Sequence, residues 1–322
     1  MKFLYFQDLH LKGKNSRNRL GNYFEDILLK IDEIISIAKK NKCNAILDGG
    51  DLFETDKPSY RVIDAIADRF EKANMNLYSL FGNHSMTAGH IENSNNVGLM
   101  HLIKRSKYFH ILTELNDRDF KSKDNFSICG IDYYHDIESD LKNKYTFDKI
   151  SRKGIEKWTV YLIHALITPT KFFDDASHIQ CKDIKTNADL VLCSHYHHPF
   201  KKVVKNTVFL NIGCSGRDNI NEHDILPSVL LLDTEKRDYE IIELKSAKNG
   251  KDVFDLSKYE ELKANKKDIK EFLNSLKDID FQSMDLEQQI TQIGKEQKID
   301  KEIIDYLLSK LTEIKNELFK IN

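Results

Sequence analysis

Residues 45–53 read Ala45-Ile46-Leu47-Asp48-Gly49-Gly50-Asp51-Leu52-Phe53. This stretch decides the fold. Its apolar start is too short for a helix and stops at two glycines, so Ala45 to Leu47 reads as a buried strand opening into a tight turn. Upstream, Phe3 to Phe6 is a second such strand. Between them, Ile27, Leu28, Ile31, Ile34, Ile35 and Ala38 recur at helical spacing within Tyr23 to Lys40. Downstream, Ser59 follows Pro58 and is expected to cap a helix running to Ala73. Leu77 to Phe81 is the next strand, ended by Gly82. Strands alternating with helices imply βαβ units and a largely parallel sheet.

Further along, strands are expected at Phe126 to Ile131, Trp158 to Ile163, Leu190 to Cys193, Val208 to Ile212, Val229 to Leu232 and Tyr239 to Leu244. Few helices separate the last four, which points to a second sheet packed on the first. The expected class is α/β: two packed mixed β-sheets flanked by helices. Beyond residue 245 the strand signals stop. Ile269, Phe272, Leu273 and Leu276 form one helical stripe, and Leu307, Leu308, Leu311, Ile314 and Leu318 another. Residues 1–245 are therefore read as one domain and 246–322 as a helical C-terminal module.

The 322 residues are 40% hydrophobic and 31% charged, enough apolar material for a core, which excludes a wholly disordered chain. Lys and Arg total 49 against 51 Asp and Glu, a net charge of -2, which excludes a uniformly basic nucleic-acid coat but not a local basic groove. No apolar run is long enough to span a membrane. The five cysteines (43, 129, 181, 193 and 214) form no CxxC pair, and no leader precedes Asp8; both suit a soluble cytoplasmic protein. Cys193 and Cys214 read as small packing residues.

The chemistry sits where strands end. Five clusters follow apolar runs in order: Asp8-Leu9-His10, Gly50-Asp51, Gly82-Asn83-His84, His164, and His195-Tyr196-His197. In sheets with helical crossovers, ligands gather beyond the carboxyl ends of strands, so the clusters are expected on one rim. The oxygen and imidazole donors of Asp8, His10, Asp51, Asn83, His164, His195 and His197 suit manganese, iron or zinc better than calcium or magnesium. Seven donors exceed what one ion takes. With Asp51 shared they divide into two sets of four, as in two-metal phosphoesterase chemistry. In Asp8-x-His10 and His195-x-His197, an extended backbone would point both members the same way. His90, His101, His110, His135, His178, His198 and His223 have no comparable setting.

These motifs resemble the calcineurin-like metallophosphoesterase superfamily, whose pattern is DxH, GD, GNH, a lone His and GHxH. The resemblance spans about residues 1–245. Gly50-Asp51-Leu52-Phe53 with Lys57-Pro58-Ser59 is similar to the SbcD and Mre-type double-strand-break nucleases, and the GDxxDRG segment of the protein phosphatases is absent. Ile131 to Tyr134 and Asn211 to Arg217 also resemble that nuclease group. The resemblance implies a four-layer sandwich and two divalent ions, Mn2+ foremost. Asp8, His10, Asp51 and His197 would hold one ion; Asp51, Asn83, His164 and His195 the other. It implies that His84 is catalytic, donating a proton to the leaving oxygen, a task suited to a side chain that titrates near neutrality. Three positions depart from the pattern: Ser85 replaces the usual Asp after GNH, Ser194 replaces the Gly of GHxH, and the segment before Gly213 lacks its Pro.

The implied function is a DNA nuclease, exonucleolytic or endonucleolytic, in break processing, recombination or repair. It would partner an SbcC-like coiled-coil ATPase through the C-terminal module and dimerise through residues 59–110. Lys12, Lys14, Arg17 and Arg19 follow the first motif and are candidate DNA-backbone contacts. Lys104, Arg105 and Lys107, and Lys201 with Lys202, are further basic clusters. Two other readings stand beside this one: a phosphodiesterase or phosphatase on small phosphate esters, and a noncatalytic scaffold of the same fold.

Overall fold

The computed structural model describes residues 1–16, 19–86, 97–112, 114–144, 146–152, 154–171, 177–257, 290–291, 294, 301 and 303–309. The chain divides into two compact units, Met1–Asp255 and Leu256–Asn322.

Two six-stranded mixed sheets organise the first unit. Across the first, the order is Asp238–Glu243, Ser228–Asp233, Lys2–Phe6, Ala45–Asp48, Leu77–Ser79 and Phe109–Ile111. The four strands from Lys2–Phe6 onward are parallel, and the other two are antiparallel additions. Across the second, the order is Phe200–Val204, Thr207–Asn211, Leu190–Ser194, Trp158–His164, Phe126–Ile131 and Glu114–Asn116. Its four central strands are parallel and both edges antiparallel.

Side-chain alternation fixes the layers. Phe3, Tyr5, Ala45 and Leu47 point inward and meet Phe126, Ile128, Val160, Leu162, Leu190 and Leu192 of the second sheet. The intervening Leu4, Phe6 and Ile46 face the other way, onto the helices Tyr23–Lys40 and Tyr60–Ala73. Ile163, Val191, Cys193 and Phe209 form the outer face of the second sheet, covered by the helix Ile137–Asn143 and short irregular segments. The α/β reading with two packed sheets and flanking helices holds, but Ser228–Asp233 and Asp238–Glu243 join the first sheet, beside Lys2–Phe6, and not the second as their sequence spacing suggested.

Helix ends follow local chemistry. The Asn22 side chain caps Tyr23–Lys40, Glu25 and Asp26 fill its first turn, and Lys39 and Lys40 its last. Ser59 occupies the N-cap of Tyr60–Ala73, but its side chain makes no capping bond, contrary to the sequence expectation.

The first unit runs past residue 245, the boundary expected from the strand pattern. Lys245 and Ser246 donate backbone N–H groups to Glu33 at 2.9 and 2.7 Å. Lys248 Nζ lies 2.8 Å from Asp26, and Phe254 is buried. These ties fasten the segment to the helix Tyr23–Lys40. In the second unit the described residues 290–291, 294, 301 and 303–309 are helical, with Leu307 and Leu308 half-buried. Ile269, Phe272, Leu273, Leu276, Leu311, Ile314 and Leu318 lie outside the described residues. No helix of the described residues is long and apolar enough to cross a membrane.

Candidate metal centre

The parallel strands Lys2–Phe6, Ala45–Asp48 and Leu77–Ser79 pair with Phe6 opposite Asp48 and Asp48 opposite Ser79. In the second sheet His164 stands opposite Ser194. These carboxyl ends bring all five motifs together. His10 Nε2 and His197 Nε2 are 3.1 Å apart. His164 Nε2 is 3.1 Å from Asn83 Oδ1 and 3.2 Å from Asp51 Oδ2. Ligand atoms of Asp8, His10 and His197 lie within 4.8 Å of one another, as do those of Asp51, His164 and His195.

The paired motifs do not reach the centre through extended backbone. Asp8, His10, Asp51 and His195 have φ of 48°, 52°, 53° and 76°. Each left-handed residue costs about 1–3 kcal/mol and persists only where its surroundings over-determine it. Here they do. Asp8 N–H donates to the Gly50 carbonyl at 3.2 Å, and His10 N–H to the Asp51 carbonyl at 2.9 Å. From the other side, Ser215 and Gly216 donate to the carbonyls of Gln7 and Asp8 at 3.0 and 3.1 Å. The segment from Asn211 to Arg217 thus acts as a clamp. Asn211 Oδ1 accepts from Gln7 Nε2 and Gly213 N–H, and Cys214 N–H reaches the His197 carbonyl.

Gly50 has a φ of +101°, and a Cβ there would stand 2.5 Å from His164 Nδ1. The neighbouring Gly49 accounts for the substitution at Ser194. A Cβ on Gly49 would meet Ser194 Cβ at 3.1 Å, so the absent side chain leaves room for serine. The Ser194 hydroxyl then donates to the Gly49 carbonyl at 2.5 Å.

The electrostatics favour cations. Burial alone lowers the pKa of an imidazole, but the Glu54 contact and the charges of Asp51 and Asp8 outweigh it and raise His10 to about 9. Burial also opposes charge on His164, yet Asp51 lifts it to about 9. His195 is the reverse case: burial and then the His164 charge push it down to about 3. Asp51 is buried, which by itself favours the acid, but His164 and His10 hold its carboxyl well below the carboxylate range. Its Oδ2 has no aligned hydrogen-bond donor. A buried, unsatisfied carboxylate oxygen facing convergent imidazoles fits a divalent ion. Such an ion would displace the imidazolium protons.

His84 stands beside this cluster at the partly exposed rim. Its N–H donates to Asp51 Oδ1 at 2.9 Å, and its ring lies edge-on to His10 with centroids 4.8 Å apart. Its Nδ1 is 2.8 Å from the Glu54 carbonyl oxygen, which leaves Nε2 available. Ser85 is buried with an unpaired hydroxyl and takes no part in this.

The basic loop requires correction. Arg19 is 8% exposed and is buried inside the fold, not presented on a loop surface. It donates to the Arg217 carbonyl at 2.6 Å, pairs with Asp26 at 3.1 Å, and lies over the rings of Tyr23 and Phe254. Lys12 is bound to Asp218 at 2.7 Å and lies 3.6 Å from Glu54, while Lys14 is exposed. Arg17 lies outside the described residues. Arg105 is ringed by Asp64, Asp68 and Glu71. Cys193 and Cys214 are buried, and burial pushes both thiols well above their ordinary range.

Two carboxylates escaped the sequence reading. Glu54 Oε2 is 2.9 Å from His10 Nδ1, and Glu222 Oε1 is 2.5 Å from His197 Nδ1. Glu54 directly follows the Gly50–Phe53 motif and could have been flagged by adjacency. Glu222 ends the short helical turn Ile220–Glu222, and its Asn219-x-x-Glu222 capping box is a sequence signal for a helix start, not for a contact with a histidine.

The family profile described as calcineurin-like phosphoesterase matches residues 1–199. A search of curated proteins returns no significant match. Among solved structures, an archaeal phosphodiesterase is 17% identical, with 76% of this chain and 100% of that one covered and a TM-score of 0.38. A dimetal phosphatase from Danio rerio is 9% identical, with 76% and 98% covered and a TM-score of 0.45. With its sheets, rim motifs and ligand set in this arrangement, the chain belongs to the calcineurin-like phosphoesterases, a family of dinuclear metal-dependent hydrolases.

Proposed function

We propose that the protein hydrolyses phosphodiester bonds in DNA with two divalent ions, manganese foremost. The observation that carries this reading is the meeting of seven oxygen and imidazole donors with His84 at an open rim. Asp8, His10, Asp51 and His197 would hold one ion, and Asp51, Asn83, His164 and His195 the other. The ions would supply activated water and charge stabilisation on the phosphate. His84, held through Nδ1, presents Nε2 to protonate the departing oxygen. DNA as substrate is supported by the nuclease-like wording at the entrance. Glu54, Thr55 and Lys57 to Ser59 border a pocket of about 420 Å3 together with Lys12, Lys14 and Val62. Lys14 and Lys57 in such a place would position a phosphate backbone without reading sequence.

A second reading, a phosphodiesterase or phosphatase on small esters, draws support from the engagement of Arg19 and Arg105 within the protein. Less basic surface is then free for a long polyanion. Docking of residues 246–322 on an SbcC-like ATPase and dimerisation through residues 59–110 belong to the nuclease reading.

The deciding experiment compares linear duplex DNA with cyclic nucleotides and bis-p-nitrophenyl phosphate, each with Mn2+, for wild type and His84→Asn. Cleavage of DNA that depends on His84 supports the nuclease. Turnover of the small esters alone overturns it in favour of the second reading. Equal, negligible rates for both proteins on every substrate would mean a noncatalytic scaffold.

A further inference from the structure

The two metal positions differ in what stands behind their histidines. In the first, His10 and His197 turn Nε2 toward each other and present Nδ1 to carboxylates. Glu222 is 3% exposed and is itself fixed: its Oε2 accepts from Asn219 N–H at 3.0 Å. Glu54 makes an ion-pair contact with His10 rather than an aligned hydrogen bond. In the second position, His164 Nδ1 is held by a neutral acceptor, the Gly49 carbonyl, at 2.9 Å. Two other buried or half-buried acids at these strand ends are bonded elsewhere. Asp48 accepts from Ser79 Oγ at 2.6 Å and Asp132 from Phe81 N–H at 2.8 Å. The donor sets differ in the same sense. Asp8 and Asp51 both serve the first position, whereas the second has the shared Asp51 and the neutral Asn83.

We propose that Glu222 and Glu54 make the position formed by Asp8, His10, Asp51 and His197 the tighter of the two, so that the ions load in a fixed order. A carboxylate on Nδ1 locks the tautomer that leaves the Nε2 lone pair facing the metal, and it makes that nitrogen a stronger donor. It also adds negative charge beside an incoming cation. A backbone carbonyl orients the ring but adds no charge. Glu222 and Glu54 are thus positioning residues, acting through the imidazoles. The inference rests on the two-metal reading above and does not depend on DNA as the substrate.

The test is a calorimetric titration of the chelator-stripped full chain with Mn2+, without substrate, alongside electron paramagnetic resonance of free Mn2+. Wild type should show two binding events, and Asn83→Ala should abolish the weaker. Glu222→Gln keeps an oxygen to accept from Asn219 but loses the charge. It should weaken the tighter event about 10- to 100-fold, the range for outer-shell partners of metal-bound histidine, and leave the weaker event within about twofold. The thermal midpoint of its metal-free form should match wild type. Glu54→Gln, the second variant should the first not fold, should act on the same event. The proposal is overturned if both variants leave the tighter event unchanged, if both events weaken by the same factor, or if Asn83→Ala removes the tighter one. A wild type that takes up no Mn2+ would overturn the two-metal reading itself.

Discussion

Glu54 and His84 are joined through the main chain: the Glu54 carbonyl accepts a hydrogen bond from His84 Nδ1 at 2.8 Å. The histidine is therefore oriented by backbone on the far side of the Gly50–Phe53 motif, and not by the residue after it. This explains how Ser85 can stand where the family commonly has a carboxylate. The position carries no orienting duty in this chain.

His84→Asn should lower the rate on unactivated phosphodiesters by about 10²–10⁴, the usual contribution of a positioned acid. Mn2+ uptake should be preserved, since His84 is outside the two ligand sets. A p-nitrophenyl ester leaves without needing a proton, so its turnover should fall far less. Equal losses on both substrate types would remove His84 from the acid role.

Arg19→Ala and Lys14→Ala should separate structure from substrate contact. Arg19 is buried against Asp26, and removing one partner of a buried pair costs about 3 kcal/mol. The loss should appear as a lower denaturant midpoint. Lys14→Ala should leave stability unchanged and reduce the salt slope of DNA binding by about 1. If Arg19→Ala weakened DNA binding at full stability, its placement as a core residue would be wrong.

Lys30 is buried, with Nζ 2.7 and 2.8 Å from the carbonyl oxygens of Ser215 and Gly216. Burial first, then the charges of Arg217 and Arg19, lower it from 10.5 to about 7. Between those values the unfolded chain holds a proton that the folded chain has released, so stability rises with pH. The stability difference between wild type and Lys30→Met should therefore grow in favour of wild type from pH 7 to 10.5. Chemical denaturation across that window reads it. A difference that is flat with pH would mean Lys30 stays charged.

Glu33 fastens Lys245 and Ser246 to the long N-terminal helix. Burial opposes its charge, but the hydrogen bonds from Ser246 and Lys245 prevail and hold its carboxyl below the usual range. A depressed carboxyl contributes stability above its unfolded value, and that stability is lost as pH falls through the folded one. Glu33→Gln should cost about 1 kcal/mol at neutral pH, in line with hydrogen bonds of this kind, and less in acid. Amide exchange at Ser246 should quicken in the variant; unchanged protection there would count against the tether.

Much of the centre was legible in the sequence because its donors sit at strand ends, and strand ends are visible as short apolar runs stopped by Gly50, Gly82 or a polar residue. The geometry by which the donors converge was not. Extended alternation was the natural reading of Asp8-x-His10 and His195-x-His197, but three of the four residues are left-handed. At Asp8 and His10 that conformation is held by hydrogen bonds to the Gly50 and Asp51 carbonyls, with Ser215 and Gly216 donating to the carbonyls of Gln7 and Asp8, all partners distant in sequence. Arg19 misled for the same reason: a cation in a basic loop looks solvated until Phe254 and Asp26 are seen around it.

The sequence by itself determined the α/β layers, the five ordered motifs and the ligand types, because periodicity and donor chemistry are local properties. Only the tertiary structure decided which carboxylates back which imidazoles, what orients His84, and which basic residues are spent inside the protein. Glu54, Glu222 and Arg19 owe their roles to neighbours brought close by folding, and the free energy of a buried charge depends on those neighbours rather than on the residues beside it in the chain.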